Sequence, residues 1–247
     1  MMSGRSADFG TMFIVLLRMQ LARLRQSWRS YIMVSAMMPG GIVLLLHLMN
    51  PHMAQLERLH IISGAMILAE SLTTIVMLSQ YVSFLKVSQA LDHYRVMPIS
   101  LPLLIIAMTS MYGLFAWPGV LLVALEGSAL DHVPMHLAPL AIVLMLVVGL
   151  TMGAIGTIIG LLAPDEALAG LFGNLLMMGV LFLGMAPVES LKSWSLVWWI
   201  LPSTAPLAIL KQLVFFGPRV SWSEWLGFLL YASIALTVSA WLLRRPR

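Results

Sequence analysis

Charge is scarce in this 247-residue sequence: Asp, Glu, Lys and Arg make up 10% of its residues, whereas hydrophobic residues make up 60%. A soluble domain carries about 25% charged residues, so this chain has too little charge to cover a surface exposed to water. The shortage excludes a soluble enzyme, a nucleic-acid-binding domain and a disordered tail. It indicates that the lipid bilayer surrounds most of the molecule.

Several features of catalytic proteins are also missing. Cysteine is absent, which excludes disulfides and thiolate metal sites. The sequence contains no His-Glu-x-x-His zinc motif, no Gly-x-Ser-x-Gly elbow and no Gly-x-x-x-x-Gly-Lys-Ser/Thr phosphate loop. No apolar stretch holds two carboxylates, the pair that acid–base catalysis needs. We therefore expect no catalytic residue, metal site or cofactor in this chain.

The apolar residues gather into six long stretches. A helix needs about 20 apolar residues to cross the hydrocarbon of a bilayer. The predicted spans cover about residues 31–49, 61–85, 101–125, 137–163, 167–186 and 225–243. We therefore predict an all-α integral membrane protein with six transmembrane helices, in which residues 1–247 form a single transmembrane domain.

Small residues punctuate the fourth predicted span, where Gly149, Gly153, Gly156 and Gly160 recur every three or four residues. Small residues at this spacing let two helices approach closely in lipid. We therefore expect close helix packing along this span. A short acidic loop, residues 126–136, is predicted to precede it.

The N-terminal stretch, residues 9–29, is amphipathic rather than spanning. At 100° per residue, Arg18, Arg25 and Arg29 fall on one face, whereas Arg23 lies within the apolar arc and weakens the pattern. A helix of this kind lies in the membrane interface, with its arginines at anionic headgroups. We predict an interfacial helix here, and a solvated N-terminal helix is the alternative.

Basic residues are distributed unequally between the predicted loops. If the N-terminus is inside, ten of the 14 Lys and Arg residues lie on the inner side. Cytoplasmic loops of membrane proteins collect Lys and Arg, so we predict a multi-pass protein of the cell (inner) membrane with both termini in the cytoplasm. The same rule explains the net charge of +4 without a nucleic-acid partner.

One acidic residue, Glu70, lies deep within a predicted span and is followed by Ser71, Thr73 and Thr74. A charge in hydrocarbon is costly, so an ionisable residue there faces a bundle interior, a cavity or a partner. Two interpretations remain open: a substrate contact or proton-coupling site, and a protonated or hydrogen-bonded residue in helix packing.

A charged stretch, residues 86–100, joins the second and third predicted spans on the cytoplasmic side. Val87, Leu91 and Tyr94 recur at roughly helical spacing, and Pro98 would end a short helix. Such an apolar face turned toward the cytoplasm suits docking into a groove of a soluble partner. A loop helix lying on the headgroups is the alternative.

Residues 91–100, Leu-Asp-His-Tyr-Arg-Val-Met-Pro-Ile-Ser, resemble the coupling helix of type-2 ABC exporters and the Thr-Pro-Val-Ser run that closes it. The predicted order is also that of the family's membrane subunit: an interfacial elbow helix, six spans, a cytoplasmic helix between spans two and three, and a long outer segment before span six. Residues 185–191 are similar to the family's turn after span five. Residues 202–211 are similar to its Pro-x-Thr segment.

This resemblance implies a permease subunit for ATP-driven export of a hydrophobic or amphipathic substrate, such as a drug, a peptide or a lipid-linked molecule. Two permease chains, as a homodimer or a heterodimer, would surround the pathway. Two copies of a separate ABC ATPase would bind ATP and Mg and dock below. Residues 86–97 would form the coupling helix, with contacts to the ATPase from Val87, Leu91, Tyr94, Arg95 and Pro98.

The resemblance also implies a pathway and an outer gate. Spans two and five would line the interface between the two chains, which gives four pathway candidates: Glu70, Ser71, Thr74 and Asn174. Residues 187–216 would form short re-entrant outer helices that gate the exit, with candidate residues Pro187, Glu189, Pro202 and Lys211. The alternative function is an ion-driven secondary transporter or channel that acts without an ATPase.

Overall fold

The computed structural model describes residues 9–25, 28–96, 100–132, 135, 139–185, 202–216 and 222–244, and every regular element among them is a helix. In chain order these helices are α1 (Phe9–Leu24), α2 (Trp28–Met49), α3 (Gln55–Val87), α4 (Ala90–Val96), α5 (Leu101–Asp131), α6 (Pro139–Leu162), α7 (Glu166–Met185), α8 (Thr204–Phe216) and α9 (Trp222–Arg244). The all-helical prediction is confirmed.

Five helices in the described part of the chain are long and apolar enough to cross a membrane, judged by length and composition. They are α2, α3, α5, α6 and the Glu224–Arg244 part of α9. Two further apolar helices, Glu166–Phe182 within α7 and Thr204–Phe216, are shorter. The fifth predicted span, residues 167–186, therefore stays a prediction, and α7 occupies its place in the chain.

Three helix boundaries differ from those predicted. Helix α3 begins at Gln55, α5 continues through Glu126 to Asp131 in place of the acidic loop, and α1 ends at Leu24. The differences at α3 and α5 have one physical cause, because hydropathy marks where lipid ends and a helix continues beyond that depth wherever its residues favour it. His132 ends α5 with a positive φ of 52°, a conformation common just beyond a helix C-terminus.

Helix α3 lies at the centre of the bundle, where α2, α5, α6, α7 and α8 pack around it. Every residue from Leu59 to Val76 is buried, including several hydroxyl-bearing side chains. Ser63 donates a hydrogen bond to the carbonyl of Leu59, and Thr74 donates one to the carbonyl of Glu70. Because these hydroxyls bond to their own helix, a polar helix is tolerated inside an apolar bundle.

Glycines bring α6 close to its neighbours, as the spacing predicted. A Cβ on Gly149 would lie 3.2 Å from Cα of Gly113 on α5. A Cβ on Gly156 would meet the carbonyl oxygen of Thr74 and lie 2.9 Å from that of Ile75, both in the π-helical turn Leu72–Met77 of α3. The backbone of α6 therefore approaches that of α3 at a distance that only glycine allows, and it packs tightly on that of α5.

The two ends of the bundle differ in character. At the end that we call the Lys86 end, α3 finishes at Val87, α6 finishes at Leu162 and α7 begins at Glu166. Leucines from α1, α3, α4, α5 and α9 form a buried apolar cluster there. At the opposite end, which we call the Asp131 end, α5 finishes at Asp131.

Asp131 holds the ends of three helices together. Its carboxylate lies 2.9 Å from Nδ1 of His47 on α2 and accepts a 3.1 Å hydrogen bond from Arg58 on α3. Arg58 also donates to the backbone carbonyls of Met53 and Pro51, at 3.0 and 2.6 Å. The side chain of Asp131 is only 7% exposed, so solvent screens these contacts weakly.

Replacing Asp131 with asparagine should destabilise the protein by about 1–3 kcal/mol, because hydrogen bonds to a charged group are lost at a buried position. The measurement is the melting temperature of the purified chain in detergent. Glu57→Gln is the matched control, since Glu57 carries an exposed carboxylate near the same end. Equal melting temperatures for the two variants would contradict the role given to Asp131.

Candidate functional site

A cavity of about 420 Å³ opens near the Lys86 end, between the first turn of α2, the last turns of α3, the middle of α5 and the start of α7. Small-molecule sites in proteins range from roughly 300 to 1,000 Å³, so this cavity has room for a ligand or for the head of an amphipathic molecule. Its lining includes Tyr31, Gln80, Tyr81, Phe84, Tyr112 and Glu166.

Three tyrosines form one continuous aromatic wall of the cavity. The ring of Tyr112 meets that of Tyr31 edge-on at 5.8 Å and stacks with that of Tyr81 at 6.2 Å. These are favourable arrangements for aromatic pairs. Because the three rings come from α2, α3 and α5, the wall also fixes the relative positions of these helices.

Arg23 of α1 lies against this wall. Its guanidinium carbon is 3.3 Å from the ring centroid of Tyr81, and Nη2 donates a 3.1 Å hydrogen bond to the hydroxyl of Tyr112. The arginine that interrupted the amphipathic pattern of α1 therefore faces inward. By contrast, Arg18 and Arg25 are exposed, as expected for residues at the headgroups.

The carboxyl group of Glu70 lies in the contact between α3, α5 and α6. A Cβ on Gly113 would lie 3.1 Å from its Oε1, and one on Gly149 would meet the same oxygen. Both carboxyl oxygens are buried and have no hydrogen-bond partner among the described residues. Glu70, Ser71 and Thr74 are fully buried within one chain and do not line the cavity. This placement favours the helix-packing interpretation, and their role in the pathway stays a prediction.

Lys86 joins the last turn of α3 to the end of α6. Its Nζ donates to the backbone carbonyl of Leu161 at 3.2 Å and to that of Ala163. The last carbonyls of a helix lack partners within the helix and attract a cation. The sequence pattern did not predict this contact. Its local signal was a lysine directly after the second predicted span, on the predicted cytoplasmic side.

The family model for the ABC-2 type transporter matches residues 11–215, which extend from α1 into the last turn of α8. The chain belongs to the ABC-2 type transporter family. The resemblance inferred from residues 91–100 and from the order of elements is thereby confirmed. No curated protein and no solved structure matches the chain. As an ABC-2 permease it is a multi-pass membrane protein and a transport subunit, and the family implies an ABC ATPase as its partner.

The predicted coupling helix of this ABC-2 permease is α4. Leu91 is only 4% exposed and packs into the apolar cluster of the Lys86 end, whereas Val87 and Val96 are exposed. The predicted shared face of Val87, Leu91 and Tyr94 is therefore corrected, because Leu91 points inward and Tyr94 is only half exposed. The helix is interrupted before α4 at Gln89, whose φ of 60° lies in the left-handed region. The coupling role of these residues stays a prediction.

Several predicted site residues of the permease lie elsewhere or outside the described residues. Pro98, Pro187 and Glu189 are outside them, as is the side chain of Arg95. Pro202 is buried next to α8, and partial burial lowers the pKa of Lys211. Arg29 is exposed at the start of α2, where its guanidinium lies 5.6 Å from the ring of Trp28. Asn174 is exposed on α7.

Proposed function

We propose that this chain is the permease subunit of an ABC exporter and forms the pathway for ATP-driven export of a hydrophobic or amphipathic substrate. The observation that carries this proposal is the continuity between the cavity and the coupling helix. Helix α3 supplies Gln80, Tyr81 and Phe84 to the cavity, and Ser88 and Gln89 then connect it directly to α4. A displacement of α4 by a partner would therefore move one wall of the cavity.

In this proposal the Lys86 end faces the cytoplasm, together with both termini, and the Asp131 end faces outward in the cell membrane. Helix α7 completes six spans, and α1 acts as the interfacial elbow. Two copies of a separate ATPase bind ATP and Mg and contact α4. The substrate enters the cavity near the cytoplasmic side and leaves past the outer gate, residues 187–216, to which Pro202 and Lys211 belong.

The exposed face of α7 supports pairing with a second permease chain. Leu171, Leu175, Met178 and Phe182 are exposed on this helix, and the amide of Asn174 lies among them. An amide in contact with lipid tails is unfavourable, and polar side chains in spanning helices usually hydrogen-bond to another helix. We therefore place Asn174 at the interface of a homodimer or heterodimer, where the interface also borders the pathway.

The test of the proposed function is transport in proteoliposomes that contain the permease and its copurified ATPase. Tyr94→Ala combined with Arg95→Ala should reduce ATP-dependent transport by about tenfold, within the usual 1–3 kcal/mol range of coupling between sites. Membrane insertion should be unchanged, because α4 lies beyond the spans. Glu57→Ala, at the opposite end, is the control and should transport normally.

Two results would overturn the proposal. Unchanged transport-linked ATP hydrolysis in the double variant would show that Tyr94 and Arg95 do not couple the ATPase to the permease. Substrate transport by the permease alone, driven by an ion gradient in vesicles without ATPase or ATP, would favour the secondary transporter or channel instead.

A further inference from the structure

We infer that the cavity selects amphipathic molecules with an anionic head, such as a phosphate or a carboxylate, and that Arg23 and Tyr112 are the residues that select it. This inference rests on the proposed function, since it names the substrate class of the proposed pathway. It begins from a half-buried cation that is turned toward the bundle, although its helix offers it a place at the membrane surface.

Arg23 is a cation with no counter-ion in the part of the chain that the structure describes. Among the described residues, no carboxylate lies within 4 Å of its guanidinium, and its Nε is buried without a hydrogen-bond partner. Long arginine side chains at membrane interfaces normally extend toward water, as those of Arg18 and Arg25 do on the same helix. The positive charge of Arg23 is instead kept behind the aromatic wall.

The contact with Tyr112 transmits this charge to the cavity. The hydroxyl oxygen of Tyr112 accepts the hydrogen bond from Arg23, and the same hydroxyl is hydrogen-bonded to Tyr31, so a chain runs from Arg23 through Tyr112 to Tyr31. Hydrogen bonds in a chain polarise one another, and a phenol that accepts from a guanidinium is a stronger donor. Tyr112 is fully buried, whereas Tyr31 is half-buried and lines the cavity. An anionic oxygen bound there would therefore meet the hydroxyl of Tyr31 at the end of a chain that begins at a cation.

The contact with Tyr81 acts in the same direction. A cationic ligand in an aromatic cavity gains its affinity by lying over a ring face. Arg23 already occupies one face of Tyr81 at 3.3 Å, which leaves less of the ring's negative potential for a second cation and adds repulsion at short range. The aromatic wall therefore holds apolar bodies well and cationic heads poorly.

One opposing charge has to be considered. Glu166, the first residue of α7, also lines the cavity, but it is exposed. Solvent screens an exposed charge far more than a buried one. Arg23 is half-buried, so its charge is the less screened of the two, and that of Glu166 acts mainly at the mouth of the cavity.

The experiment measures binding to the purified full-length permease in phosphatidylcholine nanodiscs, without ATPase, by titration calorimetry. The probes are hexyl phosphate and hexyltrimethylammonium, which share one apolar chain and carry opposite charges. The unaltered chain should bind hexyl phosphate about tenfold more tightly than hexyltrimethylammonium, a difference of about 1.4 kcal/mol. Arg23→Met, which keeps an unbranched apolar side chain, should abolish this preference.

Three further variants make the test specific. Arg23→Lys should keep most of the preference because the charge remains, and Arg25→Met should keep all of it because Arg25 is exposed on the same helix. Tyr112→Phe should weaken the binding of hexyl phosphate and leave the binding of hexyltrimethylammonium unaffected, which gives a second measurement if Arg23→Met does not fold.

Equal affinity for both probes in the unaltered chain, or an intact preference in Tyr112→Phe, would overturn the inference. Because no ATPase is present, either result leaves the transport proposal to its own test.

Discussion

Replacing Gly156 with valine should leave little folded protein, the largest effect expected of any single substitution described here. A Cβ at this position meets the carbonyl oxygen of Thr74 and lies 2.9 Å from the carbonyl oxygen of Ile75 and 3.1 Å from its Cα. These are backbone atoms of α3 and cannot turn aside. Overpacking a core usually costs about 1–3 kcal/mol, and more where the backbone has to move. The measurement is the monodisperse fraction after detergent extraction, together with the melting temperature.

The chain provides a matched control in Gly41→Val. Gly41 is also a glycine within a spanning helix, but a Cβ there has no atom within 4 Å and the residue is exposed on α2. A valine at a position facing lipid is well tolerated, so this variant should be recovered in normal amounts. Similar yield and melting temperature for the two variants would show that α6 and α3 do not pack as closely as described.

Replacing Lys86 with methionine should uncouple ATP hydrolysis from transport while the protein remains folded. Lys86 joins the end of α3, next to α4, to the last carbonyls of α6 at Leu161 and Ala163. If α4 transmits the movement of the ATPase as proposed, the loss of this contact would disconnect α4 from the turn between α6 and α7. We expect transport per ATP hydrolysed to fall by about tenfold, as for the loss of one coupling contact. The measurement is substrate flux divided by ATPase rate in the same proteoliposomes.

Two comparisons separate coupling from simple stability. Lys86→Arg should recover much of the flux, because a guanidinium also donates to helix carbonyls, and its melting temperature should match that of Lys86→Met within a few degrees. Arg244→Met removes an exposed cation from the last turn of α9 at the same end and should leave the ratio unchanged. A normal ratio in Lys86→Met would refute the coupling role.

The sequence was sufficient for the helices and for the family. Long apolar stretches predict spanning helices because the thickness of the bilayer fixes their length. The glycine spacing in α6 predicted its close packing, and the residues from Leu91 to Ser100 pointed to the family that the comparison confirms. Each of these signals is local, so it can be read from neighbouring positions in the chain.

The cavity and its surroundings were not predictable in the same way. Tyr31, Tyr81 and Tyr112 meet only because three helices pack in one particular rotational setting, and no local pattern specifies that setting. The inward position of Leu91 likewise follows a break in the helix at Gln89, whose φ is positive. The one local signal of the site was Arg23, whose place in the apolar arc of α1 conflicted with an ordinary interfacial helix.

The π-helical turn Leu72–Met77 has a consequence for the direction in which the cavity residues point. Successive residues of an α-helix are about 100° apart around the axis, and a π turn accommodates an additional residue without ending the helix. It therefore rotates the part of α3 after Met77 relative to the part before it. Glu70 lies on the first part and is directed into the core, whereas Gln80 and Tyr81 lie on the second and line the cavity. The π-helical turn therefore sets the direction in which Gln80 and Tyr81 point around the axis of α3. Removing one residue from this turn would rotate both side chains toward a different neighbouring helix.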